Sequence, residues 1–143
     1  MKFEYRTINN LTSPFSKKAI LRPIIPISIK YGERRLRYEA LIDSGADFII
    51  LPVGLAEILN IKAKNSKEIY FSGVDGEIIK GIIAEISLEV RRGDSYTTKV
   101  VFAKISGTIG ILGELGFFDQ FIVSFDLIKK EIELKPRKQK LYK

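Results

Sequence analysis

The chain has 143 residues and a formal net charge of +7, and it contains neither cysteine nor histidine. The length fits one domain, and 45% hydrophobic with 29% charged residues is an ordinary balance for a folded core. The missing residue types exclude disulfides, thiolate and imidazole metal ligands, cysteine nucleophiles and Ser-His-Asp catalysis, so hydrolytic chemistry would depend on carboxylates, lysines or hydroxyls.

The amino-terminal residues 1–6 mix charged and aromatic side chains and lack the apolar stretch of a secretory signal. No apolar run approaches the roughly 20 residues that span a bilayer. We therefore expect a cytoplasmic protein with no membrane partner. Residues 1–19 are interpreted as an N-terminal extension.

The next part of the chain predicts a β-hairpin followed by a buried strand. Residues 20–30 are rich in isoleucine and interrupted by proline, the polar residues 32–35 form a turn, and residues 36–42 and 48–51 are again apolar. Pro52 can occupy the first turn of a helix. Apolar residues then recur at helical spacing, which predicts one short helix ending at Asn60.

From Ile69 onward the pattern is extended again. Glycine-containing turns at residues 73–76 and 92–94 separate apolar stretches at residues 78–90 and 96–105. The remaining pattern predicts a short strand at residues 109–113, a helical turn at residues 114–120 and a hairpin at residues 121–134. The whole predicts an all-β fold with one or two short helices over residues 20–135.

The carboxyl-terminal residues 129–143 carry seven basic and two acidic side chains. Runs of like charge tend to stay solvated, so residues 136–143 are interpreted as a basic tail. Contact of this tail with nucleic acid or with an acidic partner stays open as an alternative.

The segment with the clearest chemistry surrounds Asp43. This residue ends one apolar strand and closely precedes another, so its carboxyl group would be largely removed from water, which is costly for a charge without compensation. Asp-Ser-Gly alone is typical of an ordinary turn, and that interpretation remains open. The apolar flanks favour a functional Asp43.

With these residues the sequence resembles the retropepsin-like aspartic proteases, in particular microbial members. Residues 41–46 read LIDSGA and residues 111–113 read ILG, which match the two signatures of that family in order. Residues 73–76, GVDG, lie where the family carries the flexible hairpin, called the flap, that closes over substrate. Residues 116–121 and 125–126 also look similar. The resemblance spans roughly residues 20–134.

The resemblance implies a retropepsin-like acid protease barrel that acts as an aspartic endopeptidase without a cofactor or metal. Such enzymes need two aspartates that share a proton. This chain has one Asp-Ser/Thr-Gly, so activity would require a homodimer with one Asp43 from each subunit, acting on a peptide or protein substrate at acidic to mildly acidic pH. The N-terminal extension would then be able to join the dimer interface.

The resemblance also assigns residues to roles. The catalytic group comprises Asp43, Ser44, which would hydrogen-bond across the dimer axis, and Gly45, which would let backbone and substrate approach closely. The residues expected to contact substrate are Ala46, Asp47, Ile50, Gly73, Val74, Asp75, Gly76, Ile109 and Ile111. Ile50, Ile109 and Ile111 are equally consistent with ordinary core isoleucines, and residues 73–76 with an ordinary hairpin.

One position departs from the family. Members often carry arginine directly after the second signature, where it can pair with an acidic residue such as Asp47, but this chain has Glu114. Two carboxylates without a cation would disfavour ionisation of both. We therefore expect either that a nearby basic residue compensates or that the loops are arranged differently.

Two other classes of function remain open. The chain could be a catalytically inactive retropepsin-like domain for peptide binding or dimerisation, because a fold does not guarantee its chemistry. It could also be a nucleic-acid-binding β-domain, given its positive charge, with binding that weakens steeply in salt. Zinc-finger spacing and alternation of aromatic with basic residues are both missing, so we do not expect nucleic acid as the partner.

Overall fold

The computed structural model describes residues 1–15 and 18–138, with residues 10–12 described by their backbone alone. The described elements are mostly strands, with one short α-helix and one 3-10 turn. In chain order they are β1 (Lys2–Glu4), β2 (Arg6–Thr12), β3 (Ala19–Arg22), β4 (Ile24–Tyr31), β5 (Arg34–Ile42), β6 (Ile50–Pro52), α1 (Val53–Ile58), the 3-10 turn (Ala63–Asn65), β7 (Lys67–Ser72), β8 (Ile78–Arg91), β9 (Asp94–Ala103), β10 (Gly110–Leu112), β11 (Phe121–Asp126) and β12 (Glu131–Pro136). The predicted all-β fold with one or two short helices is confirmed.

Seven of these strands form the main sheet, in the order β4-β5-β10-β6-β9-β8-β7. The far half of β8 pairs with β4, from Ser28 opposite Glu89 to Lys30 opposite Ser87, and this pairing closes the sheet into a barrel. Along β4 the residues alternate between a buried and an outward face, with Ile25, Ile27 and Ile29 inside. This alternation is why an isoleucine-rich stretch forms a strand of a closed barrel.

The position of β10 decides where the functional loop lies. It pairs in parallel with β5, Leu112 opposite Ile42, and antiparallel with β6, Ile111 opposite Ile50. Because β5 and β6 are joined directly by residues 43–49, that loop must pass the carboxyl end of β10. Two segments about 70 residues apart in the chain therefore meet at one end of the sheet.

The sheet is apolar on both faces near β6 and β9. Leu51 and Phe102 point into the main core, whereas Ile50, Val101 and Ala103 point to the other face, since successive residues of a strand alternate. On that second face they form a smaller apolar cluster. It is completed by Phe48, Ile69, Phe71, Ile79, Ile83, Ile105 and Ile111.

The two ends of the described chain meet in a separate three-stranded sheet, in the order β1-β12-β11. Phe3 lies opposite Ile132, and the amino group of Met1 donates to the carbonyl oxygen of Leu134 at 2.8 Å. β2 pairs with β3. The suggested boundaries at residues 19/20 and 135/136 fall inside β3 and β12 and stay predictions; residues 139–143 of the suggested tail lie outside the described residues.

One predicted strand is divided in the structure. The strand predicted for residues 20–30 is divided at Pro23, where the chain stops pairing with β2 and begins to pair with β5. The carbonyl oxygen of Pro23 accepts from Ile42 N–H at 2.9 Å. Residues 114–120, predicted as a helical turn, form successive turns, in which Phe121 N–H donates to the carbonyl oxygen of Phe117 at 3.0 Å. Gly116 has a φ of 99°, a left-handed conformation that interrupts a helix, and its N–H donates to Asp119 Oδ1 at 3.1 Å.

Tyr96 fixes this turn region from the neighbouring sheet. Its hydroxyl donates to the carbonyl oxygen of Gly116 at 2.8 Å, and burial raises the pKa of its phenol well above the usual 10.0. We expect Tyr96→Phe to lower the free energy of unfolding by about 1 kcal/mol, because a carbonyl loses its donor.

Tyr96→Phe should also change how the free energy of unfolding depends on pH. An ionised Tyr96 is disfavoured in the folded protein, so the stability linked to this group is present below the usual tyrosine pKa and is lost as pH rises above it. Urea unfolding between pH 8 and pH 11 should therefore show a steeper alkaline loss in wild type than in Tyr96→Phe. Parallel pH curves would contradict the assignment.

Within residues 1–15 and 18–138, no helix is long and apolar enough to cross a membrane.

Candidate active site

The loop after β5 holds Asp43 by its own backbone. Asp43 N–H donates to the carbonyl oxygen of Leu112 at 3.0 Å, and Ala46 N–H donates to the carbonyl oxygen of Asp43 at 3.2 Å. Gly45 N–H donates to Asp43 Oδ1 at 2.9 Å. The carboxylate is thus oriented by the loop while its residue stays only half-buried.

The second signature segment locks this loop in place. Glu114 N–H donates to the carbonyl oxygen of Ala46, and Leu115 N–H to that of Asp47, both at 2.8 Å. A Cβ atom on Gly113 would lie 2.4 Å from the carbonyl oxygen of Phe48 and 2.6 Å from that of Ala46. Only glycine fits this close approach of two backbones.

The surroundings of Glu114 show how the two loops are held together without an arginine at this position. In the described part of the chain, neither Asp47 nor Glu114 takes part in an ion pair, and both residues are exposed. The two loops are instead joined through main-chain hydrogen bonds. No basic residue pairs with either side chain among the described residues, and both side chains are open to solvent.

A cleft of about 760 Å³ lies between the Asp43 loop, the hairpin of β7 and β8, and the segment after β9. Nine of the twelve predicted site residues line it: Asp43, Gly45, Ala46, Asp47, Ile50, Gly73, Val74, Asp75 and Ile111. Ser44, Gly76 and Ile109 do not line it. Ser44 and Gly76 are exposed on their turns and Ile109 is partly buried just before β10. The roles of all twelve stay predictions.

The lining also contains residues that the sequence analysis missed. They are Phe48, Phe71, Ser72, Glu77, Ile78, Ile79, Lys80, Lys104, Ile105 and Ser106. Several of them belong to the smaller apolar cluster, so the cleft has an apolar floor that includes Ile50 and Ile111. The lining residues on the hairpin could have been predicted from the sequence, because they flank the predicted turn. No local sequence pattern identifies Lys104 or Ser106 as lining residues.

The hairpin that lines the cleft presents apolar side chains to solvent. Val74 at its tip is fully exposed, and Tyr70 and Ile78 are mostly exposed. The turn itself is closed by Gly73 N–H donating to the carbonyl oxygen of Glu77 at 2.8 Å. Exposed apolar residues clustered beside a cleft are typical of interaction surfaces.

The charged groups of the cleft have both signs. Acidic side chains at Asp43, Asp47, Asp75 and Glu77 face two lysines. Lys80 is paired with Glu68 at 3.0 Å, and the hydrogen bond and charge of that carboxylate raise the pKa of Lys80. The described residues contain no group of three or more acidic, histidine or cysteine side chains that could hold a metal ion.

The fold and the site together define a class: a β-barrel in which an aspartate held by main-chain hydrogen bonds lines a cleft that a β-hairpin also lines. No protein-family model matches the sequence, and no curated protein matches it. Among solved structures, the chain is similar to a retropepsin-like aspartic protease from Rickettsia conorii, with a TM-score of 0.60 and 15% identity over 92% of this chain and 97% of that one.

It is also similar to the EIAV protease complexed with the inhibitor HBY-793, with a TM-score of 0.52 and 21% identity over 73% of this chain and 88% of that one. Both of these structures are of proteases. The chain therefore has the retropepsin-like fold, and the resemblance drawn from its sequence is confirmed at the level of the fold.

Proposed function

We propose that the protein is an aspartic endopeptidase whose active site forms when two copies pair, each supplying Asp43. One observation carries the proposal: in a retropepsin-like fold, Asp43 is held by main-chain hydrogen bonds at a cleft of about 760 Å³ that a hairpin also lines. Such a site combines a positioned carboxylate with room for a peptide.

The chemistry follows from two carboxyl groups that share one proton. The ionised Asp43 takes a proton from water, whose oxygen attacks the carbonyl carbon of the scissile bond, while the protonated Asp43 gives its proton to the carbonyl oxygen. The tetrahedral intermediate then collapses: the C–N bond breaks, the leaving nitrogen takes the proton now held by the first Asp43, and the second Asp43 regains a proton from the intermediate's hydroxyl group. Because one carboxyl group must keep its proton, activity is highest at acidic to mildly acidic pH.

Pairing is required because no second Asp-Ser/Thr-Gly occurs in the sequence. The surface beside the Asp43 loop suits such pairing. Ser44 is exposed, its hydroxyl makes no hydrogen bond among the described residues, and Leu115 leaves 62% of its surface open to solvent. A two-fold axis through this surface brings Ser44 and Asp43 of both copies together.

The substrate is an extended peptide lying between the hairpin and the Asp43 loop. Main-chain hydrogen bonds supply affinity and alternate side chains enter pockets. Ile50 and Ile111 of the apolar floor, with Val74 above, form apolar walls. Ile109 and Gly76 lie outside the cleft of the single chain, so any contact they make with substrate requires movement or the second copy.

The pairing requirement is tested by mixing chains. Cleavage of a broad peptide library at acidic pH should be readily detected with wild type, and specific activity should fall on dilution as dimers dissociate. An excess of Asp43→Asn chains should suppress a fixed amount of wild type by forming mixed pairs. Activity that is unchanged on dilution, in a protein that sediments as a monomer, would contradict the proposal.

The inactive binding domain remains the second candidate, because the exposed, unpaired Asp47 and Glu114 give the loops no ionic support within the described residues. It predicts that library peptides bind without being cleaved between pH 3 and pH 7. Mass spectrometry of the library after incubation separates the two candidates.

A further inference from the structure

A second cavity, of about 310 Å³, lies on the outer face of the barrel. It forms where β4 runs between β5 and β8, so three strands contribute side chains to one concave surface. None of its lining residues lines the cleft at Asp43. The cavity is therefore a separate feature of the molecule.

Three arginines dominate this cavity: Arg35, Arg37 and Arg92. The strand register explains their convergence. Ser28 of β4 lies opposite Arg37 on β5 and opposite Glu89 on β8, so these residues form one row on the same face. The turn between β8 and β9 adds Arg92.

Glu89 organises the cavity rather than neutralising it. Its carboxylate pairs with the guanidinium of Arg35 and accepts from Gly93 N–H at 3.4 Å, and only 18% of its side chain is exposed. One carboxylate thus holds one arginine and the turn that carries Arg92. The cavity is lined by three guanidinium groups and one carboxylate, so its lining carries a net charge of 3 − 1 = +2.

The other two arginines of the cavity, Arg37 and Arg92, have N–H donors available for a ligand. Among the residues that the structure describes, Arg37 and Arg92 form no ion pair and no side-chain hydrogen bond. Lys30, opposite Arg35 in the same sheet, adds further positive charge at the edge. Ser28, which also lines the cavity, supplies a hydroxyl.

We propose that this cavity binds a phosphate-type oxyanion through Arg37, Arg92 and Ser28. The planar fork of a guanidinium matches the oxygens of phosphate, and bonds between ionised groups are about twice as strong as neutral ones. A volume of about 310 Å³ admits a phosphate group with several waters, each water taking about 30 Å³. The ligand is either free phosphate or a phosphate monoester.

The test is a titration of the full chain with inorganic phosphate, followed by NMR at constant ionic strength. Chemical-shift changes should saturate and include the amides around Ser28 and Gly93. Arg37→Gln with Arg92→Gln should weaken binding at least tenfold, roughly tenfold being the expected loss for one charged hydrogen-bonding group. Arg22→Gln with Lys64→Gln removes the same charge elsewhere and should leave binding unchanged.

Titrations with other anions distinguish free phosphate from a phosphate monoester and test for general charge screening. Tighter binding of O-phosphoserine than of phosphate assigns the site to a monoester, and the reverse assigns it to the free ion. Equal shifts with chloride, or equal weakening by both double variants, would overturn the proposal, because either would reduce it to general charge screening. Should the Arg37/Arg92 double variant not fold, the two single variants carry the same comparison.

Discussion

Asp43→Asn should lower the rate of peptide cleavage by at least about 10⁴-fold, since one substitution removes both the general acid and the general base of a paired site. Asparagine keeps the size of the side chain, and its amide oxygen can still accept from Gly45 N–H, as Asp43 Oδ1 does at 2.9 Å. The folded structure should therefore survive, with the free energy of unfolding changed by less than about 1 kcal/mol.

Asp94→Asn is the matched control, because Asp94 is an exposed aspartate at the start of β9 and outside the cleft. Its rate should equal that of wild type. Initial rates on one fluorogenic peptide, measured at equal dimer concentration, decide the matter. Residual cleavage by Asp43→Asn within tenfold of wild type would refute the assignment of this carboxylate.

Gly113→Ala should be strongly destabilising. The added Cβ atom would meet two backbone carbonyl oxygens at 2.4 Å and 2.6 Å, and neither can rotate away as a side chain could. We expect a loss of about 3 kcal/mol in the free energy of unfolding, the upper end for inserting a methyl group into a packed interior. Activity should fall as well, because the displaced loop carries Asp43.

Gly54→Ala tests the same chemical change without the clash. Gly54 lies in α1, and a Cβ atom there would meet nothing within 4 Å. Alanine is the better helix former, so stability should rise by about 0.5–1 kcal/mol. Urea unfolding of both variants gives the comparison. A Gly113→Ala protein as stable as wild type would mean that the Asp43 loop is not held as described.

The strands were largely readable from the sequence because each follows from local pattern. The alternation of Ile25, Ile27 and Ile29 with outward residues, the turn at residues 73–76 and the apolar flanks of Asp43 are properties of neighbouring residues. Pro23 was readable too, yet its effect was missed, since the tolerance of a strand for proline depends on which edge is paired.

The cleft was only partly readable. Val74 and Asp75 belong to a turn that the sequence marks, whereas Lys104 is one of 24 basic residues and nothing local distinguishes it. Arg37 and Arg92 are a sharper case. They are 55 positions apart, and only the pairing of β4 with both β5 and β8 brings them to one cavity.

The sequence already contained the fold class, the Asp43 signature and the fact that it occurs once, because these depend on residue types and short spacings. The insertion of β10 between β5 and β6 was not readable in it, and this insertion places Gly113 against the Asp43 loop. Contacts between distant segments depend on strand order and on closure of the barrel. The same local patterns are compatible with several strand orders, so they do not determine these contacts. For that reason the sequence does not distinguish Gly54 from Gly113. In the structure a Cβ atom on Gly54 would meet nothing within 4 Å, whereas one on Gly113 would collide with backbone oxygens.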